Sequence, residues 1–135
     1  MMEERELRMI YLEGFVHLKE HCRQVEGHLR AKINDLYLHM RELGVTIEFF
    51  LHGWLLSLMS SCVPIEHMHR VVDSFRREGW GWLYRLVLAY LLFLKEALML
   101  SDDQGELLMG LSSQASREVG VEWEEIIGAA DKLRL

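Results

Sequence analysis

The sequence has few of the residues that interrupt helices or cross-link chains. Its 135 residues include one proline, Pro64, and two cysteines, Cys22 and Cys62. Both cysteines lie inside apolar helical patterns, so they give no disulfide framework and favour a reduced, cytoplasmic setting. β-branched residues are sparse, and no stretch alternates cleanly between apolar and polar residues. These shortages argue against a sheet protein and against a disulfide-rich secreted domain.

A surplus of positive charge is also missing. The formal net charge is -6, and residues 101–135 hold 8 acidic and 3 basic residues, which is nearly all of the negative excess. Nucleic acids and anionic membranes attract clustered Lys and Arg, so neither is expected as the main partner. The apolar run Leu86–Leu94 is bounded by charged residues and is too short to span a bilayer, so no transmembrane segment is predicted.

What is present favours helices. Half of the residues are hydrophobic, and Leu, Met, Glu and Arg, which are good helix formers, are abundant. The apolar spacing predicts an all-α, bundle-like single domain over residues 1–135. The segment that opens at Trp82 is apolar on nearly every face and is therefore predicted to be central. The predicted helices cover about residues 10–29, 33–43, 46–60, 64–78, 82–98, 101–111 and 123–130.

Four side chains are candidates for contact with a partner: Arg70, Asp73, Trp80 and Trp82. Arg70 and Asp73 are one helical turn apart, so they can form a partner contact or, alternatively, a partly buried ion pair between helices. The two tryptophans flank Gly79 and Gly81, which predict a turn. We therefore expect both indole rings to be exposed and able to anchor a partner.

Two patterns have the spacing of metal ligands, and we interpret neither as a metal site. Glu13, His17 and His21 recur every four residues, but the simpler interpretation is a solvated polar face. Glu66 and His69 form a single Glu-x-x-His pair, whereas carboxylate-bridged metal centres in helical bundles need two. No catalytic pair, metal site or cofactor site is predicted.

The segment from Trp54 to Leu98 resembles the C-terminal half of the TBC domain of Rab GTPase-activating proteins. The order of its elements is that of the family: an aromatic-led helix, a proline, Arg and Asp three residues apart, a glycine turn, and an apolar helix. Here these elements are Trp54-Leu55-Leu56-Ser57-Leu58, Pro64, Arg70 to Asp73, Glu78-Gly79, and Leu83 to Ala89. The resemblance is best over about residues 36–100. Val72 and Asn34 stand where the family usually has Trp and Pro.

The resemblance implies catalysis by an arginine finger in Ile-x-x-Asp-x-x-Arg and a glutamine finger in Tyr-x-Gln. Neither motif occurs in this sequence: no isoleucine is followed three residues later by Asp, and no tyrosine is followed two residues later by Gln. An arginine finger typically contributes about 10³ to 10⁵ in rate. The resemblance therefore implies a Rab GTPase as partner and a role in vesicle trafficking. We expect either a non-catalytic relative of the family or a fragment of a longer GTPase-activating protein, whose activity would need the missing upstream half. In both cases the chain is not expected to be an enzyme on its own, and it would reach endomembranes through its Rab.

The competing hypothesis is a helical interaction or scaffold protein that no longer binds a Rab. A lone C-terminal half would expose the apolar surface on which the other half packs. That surface would have to be covered by the chain's own segment from Met1 to Arg30, by a second copy of the chain, or by the missing N-terminal half.

Overall fold

The computed structural model describes residues 17–60, 62–111 and 122–133, and the regular structure within these ranges is entirely helical. The predicted all-α fold is confirmed. Seven helices are described, and they are α1 (Leu18–Lys32), α2 (Asn34–Glu42), α3 (Glu48–Leu56), α4 (Ile65–Glu78), α5 (Trp80–Met99), α6 (Gln104–Gly110) and α7 (Trp123–Lys132). Part of the first predicted helix, from Ile10 to Val16, lies outside the described residues.

The core is built around α5, as its apolar sequence predicts. Helices α1, α2, α4, α6 and α7 all pack against it, and α7 does so most extensively. A helix with buried residues on nearly every side has to be surrounded, and the remaining helices then need only one apolar stripe each. The buried residues of α5 are Trp82, Leu83, Leu86, Val87, Leu88, Ala89, Tyr90, Leu91, Leu94 and Leu98.

Glycine ends α2 as predicted. Gly44 has φ of +78°, and its N–H donates to the Arg41 carbonyl while the Val45 N–H donates to the Met40 carbonyl. This pair of bonds is a Schellman motif, which satisfies the free carbonyl groups at a helix C-terminus. The chain can then reverse into α3.

Helix α3 ends earlier than its apolar pattern indicates. The predicted helix runs through Leu58 and Met59 to Ser60, but the last helical residue is Leu56. Leu58 and Met59 have φ of +53° and +68°, and their N–H groups form the same Schellman pair with the Leu55 and Trp54 carbonyls. The prediction was wrong because the reversal buries Met59 completely, and the apolar packing offsets the strained backbone.

The corner between α4 and α5 consists of one residue. Gly79 has φ of +78° and ψ of −158°, a conformation that is essentially restricted to glycine. Helix α5 begins at the next residue, Trp80, so Gly81 lies inside the helix and does not break it. The predicted opening at Trp82 is corrected accordingly. Pro64 likewise lies just before α4, at its N-cap, and not in the first turn.

Side-chain capping occurs at α6. Asp103 is the N-cap, and its Oδ1 accepts a hydrogen bond of 2.8 Å from the Glu106 N–H. Glu106 Oε2 in turn accepts one of 2.7 Å from the Asp102 N–H. The first bond satisfies a donor that a helix leaves free at its start, and the second ties the residue before the N-cap to the first turn. Among the helices described above, none is both long and apolar enough to cross a membrane.

The Gly79 corner allows a direct test. Changing Gly79→Ala places a Cβ on a backbone with positive φ and should reduce the free energy of unfolding by about 1–3 kcal/mol. The matched control is Gly81→Ala, two residues later inside α5, where a Cβ meets open space. It should stabilise by about 0.5–1 kcal/mol. Urea unfolding measures both, and equal effects at the two positions would contradict this account of the corner.

Candidate partner-binding site

The outer face of α4 carries two of the four predicted contact residues. Helix α4 turns Val71, Ser74 and Phe75 towards the core. We define its outer face by the residues that are exposed on the other side, together with the half-buried Arg70. These residues are Ile65, Glu66, His69, Arg70, Asp73 and Arg77.

Arg70 and Asp73 do not pair with each other. The Asp73 carboxylate lies 3.6 Å from the Arg77 Nε, one turn further along the helix. An acidic residue four positions before a basic one is the favoured orientation on a helix, which explains why Asp73 pairs with Arg77 and not with Arg70. No residue within 17–60, 62–111 and 122–133 forms an ion pair with Arg70. The alternative of an ion pair tying two helices is therefore wrong for the described chain.

The angle between α4 and α5 is held by a charged pair across the Gly79 corner. Arg85 Nη2 lies 2.5 Å from Glu78 Oε1, and Arg85 Nη1 donates a longer bond of 3.5 Å to the Leu133 carbonyl. The Arg85 side chain is mostly buried, so the bond is shielded from solvent more than a surface pair is. It fixes the end of α4 against the core helix and thereby orients the outer face.

Trp80, the first residue of α5, is half-buried. It packs against a different side of α4 from the side that carries Asp73. Its ring stacks on His21 with 4.2 Å between centroids and meets the edge of Phe75 at 5.1 Å. Phe75 follows Asp73 by two residues, which is about 200° around a helix. The structure therefore brings Arg70 and Asp73 together on one face, and it places Trp80 in a separate aromatic cluster with α1.

Trp82 is fully buried, so the predicted exposure is wrong for this residue. Because Gly81 is helical, Trp82 lies on the inner face of α5 and not at a turn. Its indole Nε1 donates a 2.8 Å hydrogen bond to Asp131 Oδ1 on α7. A side chain without exposed surface offers no contact to a partner, and Trp82 serves instead to join α5 to α7.

Sequence reasoning missed the role of Tyr84 and placed His21 on a solvated face. His21 Nδ1 and the Tyr84 hydroxyl share a hydrogen bond, and His21 also stacks on Trp80. Burial, and then the nearby His17, lower the pKa of His21, while Glu20 opposes them. Burial raises the pKa of Tyr84 to about 12. Of the possible metal ligands on this helix, Glu13 lies outside the described residues.

A separate concavity of about 310 Å³ lies between α1, α2 and the α2–α3 loop. Tyr37 forms one wall, where its hydroxyl donates a 2.9 Å bond to Glu26 Oε1 and the guanidinium groups of Arg30 and Arg41 lie within 6 Å of its ring centre. None of the four predicted contact residues lines it. Its lining residues are Glu26, Tyr37, Met40, Arg41, Val45, Thr46 and Ile47.

The bond between Trp82 and Asp131 predicts a graded loss of stability. Asp131→Ala removes the acceptor of a buried N–H and should cost about 1–3 kcal/mol in the free energy of unfolding. Asp131→Asn keeps an oxygen at the same place and should cost less. Urea unfolding of both variants measures the difference. Equal losses would show that the hydrogen bond itself contributes little.

The lowered pKa of His21 predicts a dependence of stability on pH. The folded chain favours neutral His21, so the unfolded chain binds the proton more readily once the pH falls to the ordinary histidine pKa of 6.5. His21 therefore makes stability decrease as the pH falls from 6.5 towards its folded pKa. His21→Gln should flatten this decrease when unfolding is followed between about pH 8 and about pH 5. An unchanged pH profile would contradict the assignment.

Comparison with known proteins identifies the family. The model of the Rab-GTPase-TBC domain matches residues 1–99, which includes α1 to α5 and the segment before them. The chain is 26% identical over 107 residues to the Rab GTPase-activating protein eat-17 of Caenorhabditis elegans, a match that covers 79% of this chain. It is 23% identical over the same length to the ecotropic viral integration site 5 ortholog of Drosophila melanogaster. It is 30% identical over 77 residues, or 57% of this chain, to TBC1 domain family member 12 of Rattus norvegicus.

These matches cover 12%, 13% and 11% of the respective relatives, so the chain spans only a small part of their length. The comparison with solved structures gives no match. The family match and the all-α architecture agree with the expectation drawn from the Trp54 to Leu98 segment. The chain belongs to the Rab-GTPase-TBC domain family.

Proposed function

We propose that this chain binds a Rab-type small GTPase through the outer face of α4, with Arg70 and Asp73 as contacts. The observation that carries the proposal is membership of the Rab-GTPase-TBC family over residues 1–99, a range that includes all of α4. A relative such as eat-17 is named as a Rab GTPase-activating protein, which supports a Rab as the class of partner.

The chemistry of the outer face suits a protein partner. It presents two carboxylates, from Glu66 and Asp73, among the basic groups of Arg70 and Arg77. Mixed charges of this kind select a complementary partner and speed its approach, although they add little affinity by themselves. Ile65, which is 88% exposed, supplies an apolar contact at the start of the helix. Trp80 is a further candidate contact through the part of its ring that is exposed.

We further propose that the chain does not accelerate GTP hydrolysis by itself. The sequence has neither the arginine-finger motif nor the glutamine-finger motif that its resemblance to the family associates with catalysis. Positioning and charge stabilisation supply almost all of the rate in phosphoryl transfer, so a partner that lacks both groups binds without activating. Activation would belong to a longer protein that contains both motifs. Binding to a Rab would also place the chain at endomembranes and in vesicle trafficking.

A binding measurement with a Rab panel tests the proposal. The purified chain is titrated with each Rab, loaded with GDP or with a non-hydrolysable GTP analogue. We expect selective binding of a GTP-loaded Rab and at least about tenfold weaker binding after Arg70→Ala or Asp73→Ala. Hydrolysis of GTP by that Rab should stay at its intrinsic rate when the chain is added.

The matched control is Arg23→Ala on α1, another exposed arginine, which pairs with Glu20 at 3.3 Å. It should leave Rab binding unchanged. A folded chain that captures no Rab would sink the proposal and favour the helical interaction protein. Binding that is indifferent to Arg70 and Asp73 would move the contact to another surface, and faster hydrolysis would refute the non-catalytic role.

A further inference from the structure

The C-terminal half of α5 has an exposed apolar face. Leu92 lies four residues before Glu96, and Leu100, the C-cap residue of α5, lies four residues after it. Phe93 and Ala97 lie beside them on the same face of the helix. Leu92, Phe93 and Leu100 are 43%, 39% and 81% exposed, whereas Leu91, Leu94 and Leu98 on the opposite side are buried. We name Leu92, Phe93, Glu96, Ala97 and Leu100 the α5 stripe.

Single exposed apolar residues are normal on protein surfaces, but the α5 stripe is more than that. Four of its five members are apolar, and together they occupy about two turns of the helix that organises the core. Contiguous exposed apolar surface with a polar group in it is typical of an interaction site. The stripe is also distinct from the outer face of α4, which precedes the Gly79 corner.

Glu96 is the charged member of the stripe and has no ionic partner on its own helix. The residues that can reach it, three and four positions away, are Leu92, Phe93, Met99 and Leu100, and all are apolar. The adjacent Lys95 points around the helix and is bound 2.7 Å from Asp35 on α2. Within the described ranges Glu96 takes part in no ion pair. The exposed Glu96 carboxylate is therefore available to a cation from outside.

A second copy of the chain cannot supply that cation from the same surface. A twofold dimer brings identical patches together, so one α5 stripe would face another. Each stripe contributes a carboxylate and no base, and the nearby Lys95 is already bound to Asp35. Two like charges facing each other across an apolar contact are unfavourable. The charge pattern therefore favours a different protein over self-association.

We propose that the α5 stripe docks an amphipathic helix of a partner protein, whose apolar side chains flank a Lys or Arg that pairs with Glu96. A helix is the fitting element because the α5 backbone is hydrogen-bonded within its own helix and offers no strand edge to extend. Apolar ridges spaced four residues apart accept the side chains of a second helix. This partner is additional to the proposed GTPase and contacts a different surface.

Two designed helical peptides of equal length test the proposal. Both carry leucines at i, i+4 and i+8 on one face, and a residue beside the middle leucine is Lys in one peptide and Glu in the other. Fluorescence anisotropy against the full chain should show the Lys peptide binding at least about tenfold tighter than the Glu peptide. Glu96→Lys should reverse this order. Leu92→Ser should weaken both peptides, with unfolding by urea confirming that the variant is folded.

The matched control is Glu42→Lys, which makes the same change in net charge at an exposed position on α2. It should leave the peptide preference as in the unchanged chain. The proposal is overturned if neither peptide binds, if both bind equally, or if Glu42→Lys reverses the preference as well as Glu96→Lys does. It is also overturned if the chain forms a dimer that Phe93→Asp converts to a monomer, because a second copy would then occupy the stripe.

Discussion

Burial of α5 is the constraint on which the rest of the structure depends. Fully burying one large apolar side chain stabilises a fold by about 1.5–3 kcal/mol, and α5 has buried residues on nearly every side. No single neighbouring helix can cover so wide a surface, so α1, α2, α4, α6 and α7 all pack against it. The polar links are consequences of this packing. The Trp82–Asp131 bond joins α5 to α7, and the Arg85–Glu78 pair sets the angle of α4.

The features that the sequence predicts well are those decided locally. The apolar spacing predicts all seven described helices, and Gly44 ends α2 because glycine adopts positive φ at little cost. The same reasoning fails at α3, where Leu58 and Met59 adopt positive φ without being glycine. Helix propensity alone cannot predict that reversal, because the gain comes from burying Met59 in the core.

The candidate site shows the same division between local and distant causes. The sequence places Arg70 and Asp73 on one face of α4, and the structure agrees, although Asp73 pairs with Arg77. The prediction that Trp82 is exposed fails, since the acceptor of its indole N–H lies 49 residues further along the chain. The prediction that His21 lies on a solvated face also fails, because its neighbours Trp80 and Tyr84 come from α5. Each failure concerns a partner that is chosen by tertiary packing and leaves no mark in local spacing.

The two exposed surfaces differ in what they can recognise. The outer face of α4 offers mixed charges and one strongly exposed isoleucine, so the proposed GTPase would be selected there mainly through electrostatic complementarity. The α5 stripe offers apolar area around one carboxylate, so the affinity of the proposed partner helix would come from burial and its specificity from Glu96. The two surfaces have no residue in common, because one lies on α4 and the other at the C-terminal end of α5. A partner at one of the proposed surfaces would therefore leave the residues of the other unused.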